Sequence, residues 1–316
     1  MIGCFGKIPA SADFVGVNAS GAVIRELDQW LQSALVQFLD EDDWKHRFDE
    51  LPVCFFHYHA RDGSDVMGAM ISSSDAAGRR YPFFIFQLLK MEDRSAALPC
   101  LHTLSETFAT RVREILTDSV HGSMPIDPVA AIAELRAWNG QDLSLYRRIH
   151  ERFLHDYSFA DVADALSWGW PEFVSGACLH RLHYALESWR SGSTLTVMLP
   201  LPAERGLKRP VADLWQQWLG SACAAGTPVM SLLIDDFMRP RLLLMPVWRS
   251  AEQFFAVLSD PGNRRLCIDV LAPFGADEMH PGTLSLPDTR LSLNDFMARF
   301  TQSACAGGAV SKREQR

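Results

Sequence analysis

Residues 81–90 read Tyr-Pro-Phe-Phe-Ile-Phe-Gln-Leu-Leu-Lys, and this stretch decides the fold. Apolar side chains occupy both the odd and the even positions, whereas a half-buried strand alternates apolar and polar residues. A strand that is apolar on both faces is typical of the middle of a sheet whose two faces are covered. We therefore predict that residues 81–90 form an interior strand of such a sheet.

Five further predicted elements belong to the first part of the chain. Short apolar stretches at 2–8, 53–59 and 66–72 predict strands. Residues 20–39 and 97–116 predict helices, because their apolar residues recur at spacings of three and four. Together these elements indicate a mixed sheet with helices around it, which is an α/β or α+β fold.

The pattern divides the chain into four parts. Residues 1–125 form the first, sheet-containing part, and residues 126–190 are almost entirely helical in pattern. Strand patterns resume in 191–303, which predicts a second, smaller α/β part. Residues 304–316 are polar and glycine-rich, so we expect a disordered tail there.

The charge balance excludes one broad functional class. The 316-residue chain has 30 Lys and Arg against 38 Asp and Glu, which gives a net charge of −8. A general nucleic-acid-binding protein normally presents a basic surface. We therefore expect no nucleic-acid partner.

Other compositional features point to the cytoplasm. Residues 1–10 lack the basic and apolar regions of a signal peptide, and no apolar run approaches the length of a membrane span. The seven cysteines lie far apart and form no Cys-x-x-Cys motif. Buried free thiols in a reducing compartment explain this pattern better than disulfides or a zinc site. We predict a cytoplasmic protein that does not insert into membranes.

Three small sets of titratable side chains have spacings that metal or acid–base chemistry uses. They are His57 with His59 on one strand face, His180 with His183 and Glu187 on one helix face, and Asp235 with Asp236 at a strand end. Each histidine pair supplies only part of a metal site. A solvated strand face, an ordinary helix surface and a charged turn are the simpler interpretations. With no Gly-x-Ser-x-Gly elbow, we predict no catalytic residue, metal or cofactor.

Two loops are more distinctive than these sets. The Lys7–Asp13 loop and the Ser74–Arg79 loop each combine glycine or proline with an acid and a base. Ser and Asp oxygens can stabilise such turns by accepting nearby backbone N–H groups. Lys7 or Arg79 could then pair with Asp13 or Asp75. A structural ion pair between the loops is one interpretation, and a surface that docks a partner is the other.

These loops also carry a family resemblance. Residues 3–9 read Gly-Cys-Phe-Gly-Lys-Ile-Pro and are followed by Asp-Phe-Val at 13–15. Residues 28–32 read Asp-Gln-Trp-Leu-Gln, and residues 74–82 read Ser-Asp-Ala-Ala-Gly-Arg-Arg-Tyr-Pro. In order and approximate spacing, these motifs resemble the TagF/ImpM family of type VI secretion-associated proteins across residues 3–90.

The resemblance implies a fold and a function. The fold would be a three-layer α/β/α sandwich for the N-terminal domain. The protein would be a cytoplasmic accessory protein of the bacterial type VI secretion system that represses assembly or firing after translation. It would act by binding a scaffold protein with a forkhead-associated domain. No enzymatic activity is established for the family, so the resemblance implies no catalytic residue and no cofactor.

We hypothesise that the two loops lie side by side and shape the partner site. The residues expected to bind the partner are Lys7, Asp13, Phe14, Ser74, Asp75, Gly78, Arg79 and Tyr81. An alternative is an enzyme that binds a small molecule or nucleotide with the same two loops. A third possibility is a structural subunit of the secretion apparatus.

Overall fold

The computed structural model describes residues 1–89, 101–123, 126–223, 229–247, 253–274 and 285–311. The strands are β1 (Ile2–Gly6), β2 (Val15–Val17), β3 (Cys54–His59), β4 (Asp65–Ile71), β5 (Phe83–Leu89), β6 (Thr196–Pro200), β7 (Val229–Ile234), β8 (Arg241–Pro246) and β9 (Cys267–Asp269). The helices are α1 (Ala22–Phe38), α2 (Trp44–Asp49), α3 (Leu101–Leu104), α4 (Glu106–His121), α5 (Pro128–Ala133), α6 (Gly140–Asp156), α7 (Phe159–Gly169), α8 (Ser175–Arg190), α9 (Arg205–Gly220), α10 (Phe254–Ser259) and α11 (Leu293–Ser311).

The strands form one nine-stranded sheet in the order β2-β1-β5-β4-β3-β7-β8-β6-β9. Every neighbouring pair is antiparallel except β6 and β9, which are parallel. Strand β5 lies between β1 and β4, so the prediction of an interior strand at 81–90 is confirmed.

Helices cover both faces of this sheet. On one face, Phe84 of β5 belongs to a buried cluster with Trp30 of α1 and Phe255 of α10. On the other face, Ile85 of β5 belongs to a second cluster with Trp215 of α9, and this cluster also takes in residues of α3 to α8 and α11. The two-sided apolar pattern of β5 thus reflects burial on both faces. The α/β fold, with helices above and below a mixed sheet, is confirmed.

Helix α1 illustrates how the pattern produces this packing. Its buried residues recur at spacings of three and four along one stripe, and Val36 on the opposite side is 60% exposed. The indole N–H of Trp30 donates to the carbonyl oxygen of Val247, 2.7 Å away. This bond ties α1 to the segment that follows β8, far along the sequence.

The two predicted α/β parts share a single sheet. Strand β3 of the first part pairs with β7 of the second from Cys54↔Ile234 to Tyr58↔Met230. Without β7, strand β3 would present an unpaired apolar edge, which natural proteins avoid. The sequence division into parts therefore does not correspond to two separate sheets.

The predicted tail is also partly ordered. Helix α11 continues to Ser311, so residues 304–311 are helical rather than disordered. Alanine, the strongest helix former, occurs at 304, 306 and 309 and offsets the glycines there. Residues 312–316 lie outside the described residues.

The cysteines within the described part of the chain are free thiols, as predicted: Cys4, Cys54, Cys178, Cys223 and Cys267. Burial raises the pKa of Cys4 to about 11 and that of Cys54 to about 12. Reactive thiolates are therefore scarce at these positions at neutral pH. Cys100 and the side chain of Cys305 lie outside the described residues.

No helix within the described ranges combines the length and the hydropathy that a bilayer span requires.

The continuous sheet leads to a prediction about unfolding. Because the β3–β7 pairing joins both parts through one ladder and two shared cores, we expect the whole chain to unfold in a single cooperative transition. Thermal unfolding would be followed by calorimetry and by far-ultraviolet circular dichroism. The two midpoints should coincide, and the calorimetric and van't Hoff enthalpies should agree. Two resolved transitions would contradict the shared-sheet interpretation.

Candidate functional site

The Lys7–Asp13 and Ser74–Arg79 loops lie side by side, as hypothesised from the sequence. The backbone N–H of Ala76 donates to the carbonyl oxygen of Ser11 at 2.9 Å. The guanidinium Nη2 of Arg79 donates to the carbonyl oxygen of Ala12 at 2.8 Å. The loops extend from β1 and precede β5, which are neighbouring strands, and this adjacency brings the loops together.

The carboxylate of Asp75 is the centre of this arrangement. Its Oδ2 accepts from Lys7 Nζ at 3.0 Å and from Arg79 Nε at 2.7 Å. Its Oδ1 accepts from the backbone N–H groups of Ala77 at 3.0 Å and Arg79 at 2.9 Å. One side chain therefore binds both loops, and the predicted ion pair between them forms through Lys7 and Asp75.

These contacts keep Asp75 ionised. Its side chain has no exposed surface, and that of Lys7 is 9% exposed. Burial alone would raise the pKa of Asp75, but hydrogen bonds from Lys7 and from the backbone and side chain of Arg79 outweigh it and lower the pKa well below its usual range. The site therefore contains a permanent negative charge enclosed by two cations.

An aromatic cluster adjoins this ion pair. The ring of Phe14 stacks on Phe5 with 5.2 Å between centroids and meets Tyr81 edge-on at 5.1 Å. Lys7 Nζ lies 5.1 Å from the centroid of the Phe14 ring. Phe14 nevertheless remains 40% exposed. Phe14 is thus an apolar side chain that is fixed by Phe5, Tyr81 and Lys7 and is still partly open to solvent.

Tyr81 connects the cluster to helix α1. Its hydroxyl donates to Asp28 Oδ1 at 2.6 Å. Burial, followed by the hydrogen bond to Asp28, raises the pKa of Tyr81, so the hydroxyl remains a donor. Asp28 begins the 28–32 motif but was not among the predicted site residues, because only the tertiary contact shows its role.

The predicted residues thus divide into two groups. Lys7, Asp75 and Tyr81 are buried and hold the framework. The accessible ones are Asp13, Phe14, Gly78 and Arg79, and Ser74 is half-buried in a bridge with Arg80. Asp13 makes no ion pair within the described residues. Its carboxylate instead accepts the backbone N–H of Phe14 at 2.8 Å.

Arg80 extends the site toward helix α2. It donates to both carboxylate oxygens of Asp49, at 2.9 and 2.6 Å, and lies 5.8 Å from the Trp44 ring. Sequence analysis missed this contact. The Arg-Arg pair at 79–80 was a signal, but the partners come from α2, about thirty residues earlier in the chain.

Three other sets of titratable residues were singled out from the sequence. The His57–His59 set and the α8 set differ from their simpler interpretations, and the Asp235–Asp236 set agrees with its own. His57 is buried rather than solvated, because β3 is an interior strand and the ring faces α9. His57 Nε2 and His59 Nδ1 lie 2.8 and 2.9 Å from the same Asp65 oxygen, Oδ1. Within the described ranges, no group of three possible ligands is arranged to hold a metal ion.

His183 of α8 and the acidic pair after β7 have structural contacts. His183 packs edge-on against Phe300 at 6.3 Å, in the core side of α8 rather than on an ordinary surface. Asp236 Oδ1 accepts the backbone N–H of Arg239 at 2.8 Å, and Asp235 pairs with Lys208 at 2.6 Å. The prediction of a charged turn at 235–236 is confirmed.

A chain of buried polar groups continues from His57. Gln216 of α9 donates to His57 Nδ1, and the Ser231 hydroxyl donates to Gln216 Oε1 at 3.0 Å. His102 Nε2 lies 2.9 Å from Ser231 Oγ, and His102 is 2% exposed. Because Ser231 uses its proton toward Gln216, it accepts from His102, which is therefore the neutral Nε2–H tautomer.

The buried His102 predicts a pH dependence of stability. Burial, followed by the charges of His57 and Arg209, holds the pKa of His102 well below its ordinary value. The unfolded chain takes up this proton below about pH 6.5. The stabilisation is thus complete above that pH and is lost as the pH falls, by up to about 1.4 kcal/mol per pH unit. We expect the free energy of unfolding, from urea titrations at several pH values, to fall less in acid for His102→Gln than for the wild type.

His59 affects the pH dependence of stability in the opposite direction, so its contribution has to be separated from that of His102. The hydrogen bond to Asp65 raises the pKa of His59, so its stabilisation is present below about pH 6.5 and is lost as the pH rises. Both proteins retain His59, so its contribution cancels between them. The matched control is His121→Gln, at an exposed residue of α4. Equal acid slopes for the wild type and His102→Gln would contradict the assignment.

Gly6 predicts a stability effect at the site itself. Its φ is +133°, and a Cβ at this position would lie 2.1 Å from the carbonyl oxygen of Pro82. Gly6→Ala should therefore reduce the free energy of unfolding by at least about 2 kcal/mol. Gly176→Ala is the matched control, because Gly176 lies within helix α8, has no left-handed φ and has open space at its Cβ position. Denaturant titration should show no loss of stability for that variant, because alanine favours the helix over glycine. Equal effects of the two substitutions would contradict the close approach.

Comparison with known proteins gives one family match, for the part of the chain that contains this site. Residues 3–135 match the family model described as the TagF N-terminal domain, type VI secretion system-associated. No curated protein matches the chain. The crystal structure of PA0076 from Pseudomonas aeruginosa PAO1 is similar at 23% identity and a TM-score of 0.39, over 44% of this chain and 64% of that one. The chain thus spans less than two thirds of that structure.

The matched residues include both loops, the aromatic cluster and helix α1. The resemblance seen in the motifs at 3–15, 28–32 and 74–82 is confirmed by the family match. Residues 3–135 therefore form a TagF N-terminal domain, a domain described as type VI secretion system-associated.

Proposed function

We propose that this protein is a post-translational negative regulator of type VI secretion that acts in the cytoplasm. It would act by binding a scaffold protein with a forkhead-associated domain. The observation that carries this proposal is that Phe14 and Arg79 are both exposed on the two loops that the Lys7–Asp75 ion pair holds together.

The physical case rests on preorganisation. Protein interfaces derive most of their binding energy from a few anchors, often aromatic residues and arginine. Phe14 is held by contacts with Phe5, Tyr81 and Lys7. The side chain of Arg79 is 61% exposed, although two of its nitrogens are already bonded within the site. Both anchors would lose little conformational freedom on binding, which favours affinity.

The interior of the site supports binding over catalysis. The space between the loops is occupied by the Lys7–Asp75 pair and by the stacked rings of Phe14 and Phe5. A small-molecule substrate would need a cavity in this position. The accessible groups are instead spread over the surface, which suits a macromolecular partner.

Repression would follow from mass action. Scaffold bound to this protein is withdrawn from the secretion apparatus in proportion to occupancy, so repression should scale with the regulator's concentration relative to the dissociation constant. No chemical step is required.

The proposal predicts the effect of removing either anchor. Phe14→Ala and Arg79→Ala should each weaken scaffold binding at least about tenfold, measured by isothermal titration calorimetry, and should relieve repression of secretion in cells. The matched controls are Val36→Ala and Arg111→Ala, whose side chains are exposed on α1 and α4. These controls should leave affinity and repression unchanged.

Two outcomes would count against the proposal. One is unaltered scaffold affinity and unaltered secretion in both Phe14→Ala and Arg79→Ala, with folding verified by circular dichroism. The other is an increase of several degrees in Tm with one nucleotide or divalent metal, lost in Arg79→Ala, which would favour the small-molecule alternative.

A further inference from the structure

A second exposed surface is formed by residues from the middle of the chain, between 168 and 238. We call it the corner patch, and its residues are Trp168, Val174, Phe237 and Met238, which are 85%, 63%, 86% and 56% exposed. Single exposed apolar residues are ordinary, but several in one place mark an interaction surface.

The corner patch is held together by contacts between its segments. A Cβ on Gly169, the residue after Trp168, would lie 2.9 Å from the carbonyl oxygen of Met238. Arg239 and Glu172 form an ion pair at 3.1 Å, which links the turn after β7 to the segment before α8. The end of α7 and both of these segments therefore meet at one corner of the molecule.

Unpaired carboxylates surround the corner patch. They are Asp164, Glu204 and Asp236, all exposed. Asp164 lies one turn before Trp168 on α7, and Glu204 follows Ala203, whose Cβ lies 3.6 Å from the Cβ position of Gly169. None of the three carboxylates makes an ion pair with another described residue. Three nearby cations are already paired, Arg205 with Glu106, Arg239 with Glu172 and Lys208 with Asp235. Arg241, whose charge acts on Asp236, is half-buried and contacts the sulfur of Met198. The surface is therefore apolar with a negative rim.

Helix α6 presents the complementary chemistry. We call the set Leu145, Arg148, Ile149 and Arg152 the α6 face, because spacings of three and four place these residues on one side of the helix. Leu145 and Ile149 are 48% and 42% exposed. Arg148 is exposed and has no ion pair within the described part of the chain, and Arg152 pairs only locally, with Asp156. This surface is apolar, and its unpaired positive charge is that of Arg148.

We infer that the corner patch of one molecule binds the α6 face of a second molecule. Both surfaces are exposed in the single chain, so they do not cover each other within it. Opposite charge around two apolar centres steers association and fixes orientation. The contact is heterologous, since it joins two different surfaces. A bound pair therefore still has one unused α6 face, on the first copy, and one unused corner patch, on the second.

Sedimentation velocity tests this inference directly. The wild type should sediment as species heavier than the monomer at about 100 µM and should dissociate on dilution, as expected for an affinity in the micromolar range. Increasing the salt concentration should weaken association, because the charges are exposed. Phe237→Ser and Leu145→Gln should each weaken association at least tenfold. Val36→Gln, which removes an equally exposed apolar residue from α1, should have no effect.

A mixing experiment separates this contact from other modes of association. Phe237→Ser lacks the corner patch and keeps the α6 face, whereas Leu145→Gln has the reverse defect. Each variant alone should remain monomeric, and an equimolar mixture should form dimers and nothing larger. Circular dichroism would verify that both variants are folded. A monomeric wild type, association that survives either substitution, or a mixture that stays monomeric would overturn the inference.

Discussion

The buried carboxylate of Asp75 is the interaction on which the partner-facing surface depends. A charge enclosed by protein is unfavourable unless donors replace the water it loses. Lys7 and Arg79 supply two charged donors, and the backbone of the Ser74–Arg79 loop supplies two more. Because Lys7 belongs to the other loop, the carboxylate cannot be satisfied unless both loops adopt this arrangement. The positions of Phe14 and Arg79 follow from that requirement.

The sheet has a comparable role at the scale of the whole molecule. Strands β1 and β5 lie next to each other, and their loops consequently emerge together. The ladder continues through β3 and β7 into the rest of the chain, so the platform beneath the loops is broad. Residues 3–135 match the TagF N-terminal domain, but part of the sheet that supports them comes from residues beyond 190.

Much of this architecture could be predicted from local sequence. The interior position of β5 followed from its two-sided apolar pattern, and the charged turn at 235–236 followed from its residues. The proximity of the two loops followed from an acid, two bases and turn-forming residues of matching chemistry. Each of these features depends on neighbours a few residues apart or on charges that must find a partner.

The features that could not be predicted depend on distant pairing. Strand β7 joins β3 across roughly 175 residues, and nothing near Cys54 or Ile234 specifies that register. The same pairing makes β3 an interior strand. Together with the cover of α9 it leaves His57 buried, although the simpler interpretation of the sequence had placed His57 on a solvated face. Asp28 reaches Tyr81 across 53 positions, so its contribution to the site becomes visible only in three dimensions.

The two edge strands of the sheet are short, and this affects how the sheet can pair with other chains. A nine-stranded sheet of apolar strands could be a template for strand addition by other chains, as in amyloid. Here both terminal strands, β2 and β9, contain three residues. Asn18, with a left-handed φ of 54°, comes directly after β2. The sheet consequently ends on two short strands, and a short edge offers other chains few backbone groups to pair with.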